Sequence, residues 1–268
     1  MSDQIAINSE MLTGASDFLE ATPNVQDGLA MQPEEFISAL KTRLLFDHYD
    51  EEAWCPACDC PLDCRGRHPG LCAAGGDRTR RHNAVRNRYG VFADAARMRP
   101  ELEKPGLLQP SPEQPDADRR RPADCYVPSW HTGSPAAFDF AITSPHRDDI
   151  RLEASRKCGA AAEAYEVVKR RYLDTAADCQ RQGFAFIPIV GEPSGGWGPS
   201  ALCAFKALDR AIVAISGTTP GDASRKHRQA LCVLLRQANA RAISSRDPGC
   251  LALAYAPAAA ARLALEGA

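Results

Sequence analysis

The chain has 268 residues, 44% of them hydrophobic and 25% charged, with a formal net charge of −2. That length suits one large domain or two modest ones, and the composition permits a packed globular core. A charge so near zero excludes overall attraction to nucleic acid, so any nucleic-acid surface must be a local patch.

In chain order, the first thirty or so residues lack strong periodicity and read as loosely ordered. The start, MSDQIAINSE, has no basic segment followed by an apolar run, so no export signal is expected. No window approaches the ~18 apolar residues of a membrane span. Over 32–46, QPEEFISALKTRLLF places Phe36, Leu40, Leu44 and Leu45 near one face. With Pro33 and two acids in the first turn, this predicts a helix. After a cysteine-rich stretch, residues 78–98 predict an amphipathic helix with Val85, Tyr89, Val91 and Phe92 inward and arginines outward. Residues 100–123 are too rich in Pro, Asp and Arg for a long element, although 106–108 can form a short strand. Two strands, CYVPSW (125–130) and AAFDFAIT (136–143), follow, joined by the turn HTGSP. An Ala-rich helix is predicted over 152–182, stopped by Gly183, then a buried strand, FAFIPIV, over 184–190. The loop GEPSGGWG, helices over 199–216 and 223–245 and an Ala-rich tail complete the chain. From 78 to 190 the sum is a mixed α/β layout, a small sheet flanked by helices. The expected organisation is an N-terminal region over 1–50, a metal knuckle over 51–76, an α/β domain with C-terminal helices over 77–248 and the tail over 249–268.

Five of the eleven cysteines lie within the eighteen residues CPACDCPLDCRGRHPGLC, 55–72. Without an export signal a reducing compartment is expected, where clustered cysteines bind metal more often than they form disulfides. Cys55 and Cys58 form a C-x2-C pair, and His68 and Cys72 follow with three residues between them. Tetrahedral zinc needs four such soft or borderline ligands, which this loop supplies without secondary structure of its own. Cys60 and Cys64 are spares that can substitute or play no part. Binding zinc would order a segment too short and polar to order itself. Between Pro61 and Pro100 there are nine arginines against three aspartates, a block that attracts phosphate. Arg78, Arg80, Arg81, His82, Arg86 and Arg88 are the expected nucleic-acid contacts.

Metal-dependent phosphodiester cleavage needs carboxylates to hold Mg2+ and usually a lysine beside the phosphate. Asp124 heads the first strand candidate. Asp139 sits in FDFAIT among apolar residues, where a carboxylate is costly unless paired or bound to a cation. Lys169, in YEVVKRRY, shares a helix face with Tyr165 and Tyr172.

From about Pro33 to Arg246 the chain resembles the C-terminal region of non-LTR retrotransposon polyproteins that carry a restriction-enzyme-like endonuclease. There a Cys-Cys-His-Cys knuckle precedes a nuclease of the PD-(D/E)XK superfamily. The strings that carry the resemblance are CPAC…RHPGLC, RTRRHNAVRN, EKPGLL, RPAD, FDFAIT, YEVVKRRY and FIPIVGEPSGGWG, all in the family's order. The resemblance implies a restriction-endonuclease-like αβββαβ core and a nuclease that nicks target DNA to prime reverse transcription. Asp124 matches the aspartate of the family's R/K-P-x-D motif, and Asp139 matches its second metal-binding acid. Position 141, where many restriction enzymes carry lysine, is Ala; Lys169 matches the lysine found on the following helix in the retrotransposon branch. Glu103 and Glu192 match acids of that branch and would be accessory ligands. The implied cofactors are structural zinc and catalytic Mg2+, and the implied partners are DNA and the element's RNA, in a nuclear or otherwise intracellular setting. Only about fifty residues precede the knuckle, so a fragment or derivative without the reverse transcriptase is expected. The knuckle reads GRH where an acidic residue usually precedes the histidine, which weakens the expected support for that ligand. The rival expectation is a non-catalytic zinc and nucleic-acid-binding module, or an inactive remnant of the element.

Overall fold

The computed structural model describes residues 1–110, 116, 119–131 and 133–247. The expected Ala-rich tail over 249–268 lies outside the described residues, as does part of the Pro-rich 100–123 stretch. The mixed α/β layout is present: small sheets flanked by helices. Among the described residues, no helix is long and apolar enough to cross a membrane.

The N-terminal region departs from expectation. It opens with helix α1 (Ser2–Glu10) and a 3-10 turn at Asp17–Leu19 before α2 (Pro33–Leu44). Its anchors are apolar and polar together: Ile5 packs on Ala154 and Ala160, and Phe18, Leu29 and Ala39 pack on Ala230, Cys232 and Val233. Glu10 takes two bonds from Arg236, at 2.9 and 2.5 Å, and one from Arg43 at 3.1 Å. Helix α2 starts on Pro33 with a Gln32/Glu35 capping box, in keeping with its sequence signature.

The knuckle does carry secondary structure: a minimal hairpin of β1 (Ala53–Trp54) and β2 (Pro61–Leu62), then a one-turn helix α3 (His68–Leu71). Helix α4 (Asp77–Ala95) buries Arg81, Val85, Tyr89 and Ala93 along one stripe, whereas Val91 faces solvent. The main sheet has order β3-β4-β5-β6, from β3 (Glu101–Leu102), β4 (Cys125–Val127), β5 (Ala136–Ile142) and β6 (Ala185–Gly191). The first three strands run antiparallel in turn, and β6 pairs parallel to β5. The first strand is therefore at 101–102, not at 106–108; Gly106 takes a left-handed turn and Leu108 drops into a buried cluster with Ala123 and Ala137. Pro188 is tolerated because β6 is an edge strand, bonded on one side only.

Alternation along β5 decides where the site lies. Phe138 and Phe140 enter the main core with Tyr89, Trp130, Ile189 and Phe205, beneath α4 and two long helices, α8 (Pro199–Ser216) and α9 (Pro220–Ser244). Ala137, Asp139 and Ala141 point to the opposite face, where α6 (Ala160–Arg171) packs through Ala162 and Tyr165. The small alanines permit a close approach, so a long side chain on α6 can reach Asp139.

The single helix expected over 152–182 is instead α5 (Arg151–Ala154), α6, a 3-10 turn at Tyr172–Asp174 and α7 (Thr175–Arg181). Two local causes break it. Gly159 precedes α6 with φ +77°. Further on, Arg120 draws the Leu173 carbonyl, the Thr175 hydroxyl and the Asp178 carboxylate to one guanidinium.

Candidate functional site

Two sites emerge, one built from soft donors and one from hard donors. In the knuckle, Cys58 N donates to the Cys55 carbonyl (3.3 Å) and Cys55 N to the Cys60 carbonyl (2.8 Å), closing the C-x2-C turn. The single turn of α3 sets His68 and Cys72 on one side, with Cys72 N bonded to the His68 carbonyl at 2.8 Å. The donor atoms of Cys55, Cys58, His68 and Cys72 all lie within 4.8 Å of one another, and Cys58 Sγ is 3.2 Å from His68 Nε2. Zn–S bonds of about 2.3 Å and a Zn–N bond of about 2.0 Å place tetrahedral donors about 3.5–3.8 Å apart. This Cys3His set can therefore hold a metal such as zinc. Of the two spares, Cys60 is exposed and Cys64 half-buried, and neither belongs to the group.

The Asp63 carboxylate accepts from the backbone N–H of Arg67 and from that of His68 at 2.9 Å, which fixes the backbone of the turn that carries His68. Burial pushes the His68 imidazole below its ordinary value, which favours the neutral, ligating form. Burial alone would raise Cys72, but the Arg246 guanidinium together with hydrogen bonds involving the Ala74 backbone and Cys58 outweighs it and holds the thiol low. Arg246 is buried, bonds Asp77 Oδ2 at 2.6 Å and the Ala74 carbonyl at 3.1 Å, and so ties the knuckle to α4. Sequence reading missed this residue, which lies far from the cysteines along the chain and belongs to no motif.

The second site is a cleft of about 450 Å3 between α4, the start of β4, β5 and α6, lined by Asp124, Asp139, Lys169, His82, Arg78 and Tyr165 among others. Three groups from separate stretches meet there. Lys169 Nζ donates to Asp139 Oδ1 at 2.9 Å, and the Asp124 and Asp139 carboxyls are in hydrogen-bonding contact. Asp124 Oδ2 accepts from His82 (Nε2, 3.0 Å) and from Phe140 N (2.7 Å). Burial pushes the Asp139 carboxyl up to about 6, with Lys169 acting against the shift and Asp124 reinforcing it. Burial also works against ionisation of Asp124, but the His82 and Phe140 bonds outweigh it, so that carboxyl stays below its ordinary value. The same bond raises His82. Below about pH 6 one acid is thus charged while its neighbour holds its proton, the pattern of two coupled carboxyls sharing one site.

Of the four expected acids, Asp124 and Asp139 are the two that line this cleft. The other two acids are elsewhere. Glu103 is paired with Arg86 and lies 3.5 Å from Arg121. Glu192 is buried beyond the end of β6, bonded by Ser9 at 2.5 Å, and burial pushes it up to about 7.

The basic residues of α4 also divide. Arg78 and Arg80 are exposed, and Arg78 forms part of the cleft wall. Arg81 is only 4% exposed and bonds Asn239 and the Gly70 carbonyl, so it packs α4 against α9. His82 serves Asp124, Arg86 serves Glu103, and Arg88 bonds the Asp27 carbonyl at 3.1 Å. Beyond Lys169 the cleft continues past Arg120 and Arg121, which sequence reading did not single out. Compared with family models, curated proteins and solved structures, the chain matches none.

Proposed function

We propose that the chain is a divalent-metal-dependent DNA endonuclease that cuts in the Asp124–Asp139–Lys169 cleft, with the zinc knuckle as its DNA-handling arm. The observation that carries this reading is the convergence of two carboxyls and a lysine ammonium, from three separate stretches, in one solvent-open cleft. The element order from α4 to β6 supports the finer reading of a restriction-endonuclease-like core. So do the motif strings and their order. The retrotransposon origin, the element's RNA as a partner and a nuclear setting belong to the same proposal.

When bound by Asp124 and Asp139, a divalent cation supplies a water of lowered pKa and positive charge beside the phosphate. The chain's own residues do the rest. His82 and Phe140 N fix the Asp124 carboxylate, which keeps the acid pair in register. Lys169, held at Asp139 and with its ammonium 6.0 Å from the Tyr165 ring centre, is placed to orient water or offset charge developing on phosphate. Arg78 on the cleft wall and the exposed Arg80 just beyond it along α4 draw in the nucleic-acid backbone.

The non-catalytic zinc and nucleic-acid-binding reading is favoured by one observation: Glu103 and Glu192 do not join the acid pair. A plasmid-nicking assay with Mg2+ separates the two. The native protein should nick supercoiled DNA and Asp139→Ala should not; equal nicking by both removes the assigned mechanism. DNA binding without nicking by either protein leaves the binding module or an inactive remnant.

A further inference from the structure

The cleft has a second chamber, and its chemistry differs from that of the first. It holds about 400 Å3 and shares Asp139, Tyr165 and Lys169 with the acid site, then opens onto Val168, Tyr172 and Leu173. Those last three side chains are apolar or aromatic yet largely solvent-facing, at 51%, 66% and 56% exposure. The volume falls in the range of small-ligand sites, about 300–1,000 Å3.

The wall bearing Tyr172 and Leu173 is a fixed feature. Leu173 (φ 50°, ψ 34°) and Asp174 (φ 53°, ψ 26°) both take left-handed backbone conformations, which side chains other than glycine rarely adopt. Arg120 locks that turn by bonding the Leu173 carbonyl at 2.8 Å and the Thr175 hydroxyl at 2.7 Å. A strained turn persists where its surroundings over-determine it. Here it carries an exposed aromatic ring to the lip of a chamber that begins at the acid pair.

From this geometry we infer that the second chamber binds an unpaired nucleobase next to the scissile phosphate, stacked against Tyr172. The inference rests on the nuclease reading for the position of the phosphate. Inside a duplex a base shows its edge in the groove and hides its face in the stack, so an aromatic platform needs an unpaired or extruded base. Arg121, with its side chain 63% exposed on the same chamber wall, is placed to meet the neighbouring phosphate.

The test uses the full chain with zinc, Ca2+ in place of Mg2+, and two oligonucleotide duplexes containing the fluorescent base 2-aminopurine, paired in one and unpaired in the other. The native protein should bind the unpaired duplex more tightly and change its fluorescence. Tyr172→Ala should remove roughly 5- to 150-fold of that affinity, the value of one base–aromatic stack, and Tyr172→Phe should restore it. Because Tyr172 is exposed, neither variant should disturb folding, which a thermal melt checks. Equal binding of the two duplexes, or a preference that survives Tyr172→Ala, overturns the inference even if Mg2+-dependent nicking is observed. A Tyr172-dependent preference without nicking in Mg2+ supports the base site while removing the nuclease reading.

Discussion

The knuckle and the acid cleft arrive at their side chains by opposite routes. In the knuckle, four donors lie within eighteen residues, and local turns alone bring them together. In the cleft, Asp124, Asp139 and Lys169 come from the start of one strand, the middle of another and a helix beyond it. The first needs a cation to hold its short segment in place; the second needs the whole sheet in place before its groups meet. Loss of metal should therefore act on folding in one region and on chemistry in the other.

The largest expected effect breaks the knuckle. Structural zinc contributes about 10–16 kcal/mol in isolated zinc-finger peptides, so Cys58→Ser should abolish zinc binding and unfold residues 51–76. Zinc content should fall from one equivalent to none, and protease cleavage should concentrate in this segment while the sheet resists. A variant with full zinc content would remove Cys58 from the ligand set. Next comes the tie between the regions. Arg246→Met leaves the half-buried Asp77 with only the exposed Arg80, 3.4 Å away, as its charged partner, so the loss should fall below the roughly 3–5 kcal/mol of breaking a fully buried pair. Because Arg246 also steadies Cys72, this variant should lower zinc affinity as well as melting temperature. An unchanged affinity would make the arginine a purely structural pin.

What the sequence made legible follows the same division. The ligand set was readable because spacing alone encodes it. Helix α8 was readable too, since Pro199 opens it and Gly217 closes it in the left-handed region. Asp139 announced itself as a charge among apolar neighbours, whereas Lys169 needed a family resemblance, because a helical lysine has many uses. The N-terminal region was missed because its apolar anchors, Ile5, Phe18 and Leu29, are too widely spaced to form a periodic trace, and polar anchors such as Glu10 with Arg236 leave none. Arg81 shows the converse. Its place in an arginine run reads as surface charge, and only tertiary packing turns it inward.

The acid pair offers a pH test of intermediate size. Asp139 titrates near 6 in the fold against about 3.9 in an unfolded chain. A raised carboxyl contributes stability that is full below its unfolded value and lost as pH rises through about 6. The loss is at most about 3 kcal/mol. His82, also raised, acts with the same sign: its contribution is complete below about 6.5 and lost as pH climbs through its higher folded value. His48 and His146, both lowered by burial to about 4, act in the opposite sense over the same range. The carboxyl's share is therefore read as the difference in stability between the metal-free native protein and Asp139→Asn, which should shrink from pH 4 to 7. Nicking should rise over the same interval as Asp139 ionises. The Asn variant should lose at least about 100-fold in activity, since even an outer-shell partner costs 10–100-fold. A native-minus-variant difference that stays flat across this range would refute the assignment of Asp139 as the raised acid.

The smallest effect is the most discriminating for the α4 surface, because it separates charges that look alike in sequence. Arg78 and Arg80 face solvent, so Arg78→Gln and Arg80→Gln should leave the melting temperature unchanged. If each touches one phosphate, each substitution should lower the slope of log affinity against log salt by about 0.9. Arg81→Gln is the contrasting case. It removes a buried guanidinium that bonds Asn239 at 2.8 Å and the Gly70 carbonyl, so it should cost stability and leave the salt slope where it was. Should all three variants move the slope equally, α4 would lie flat on the backbone along its whole face. If only Arg78 and Arg80 move it, DNA enters at the start of α4, where the knuckle ends and the acid cleft begins.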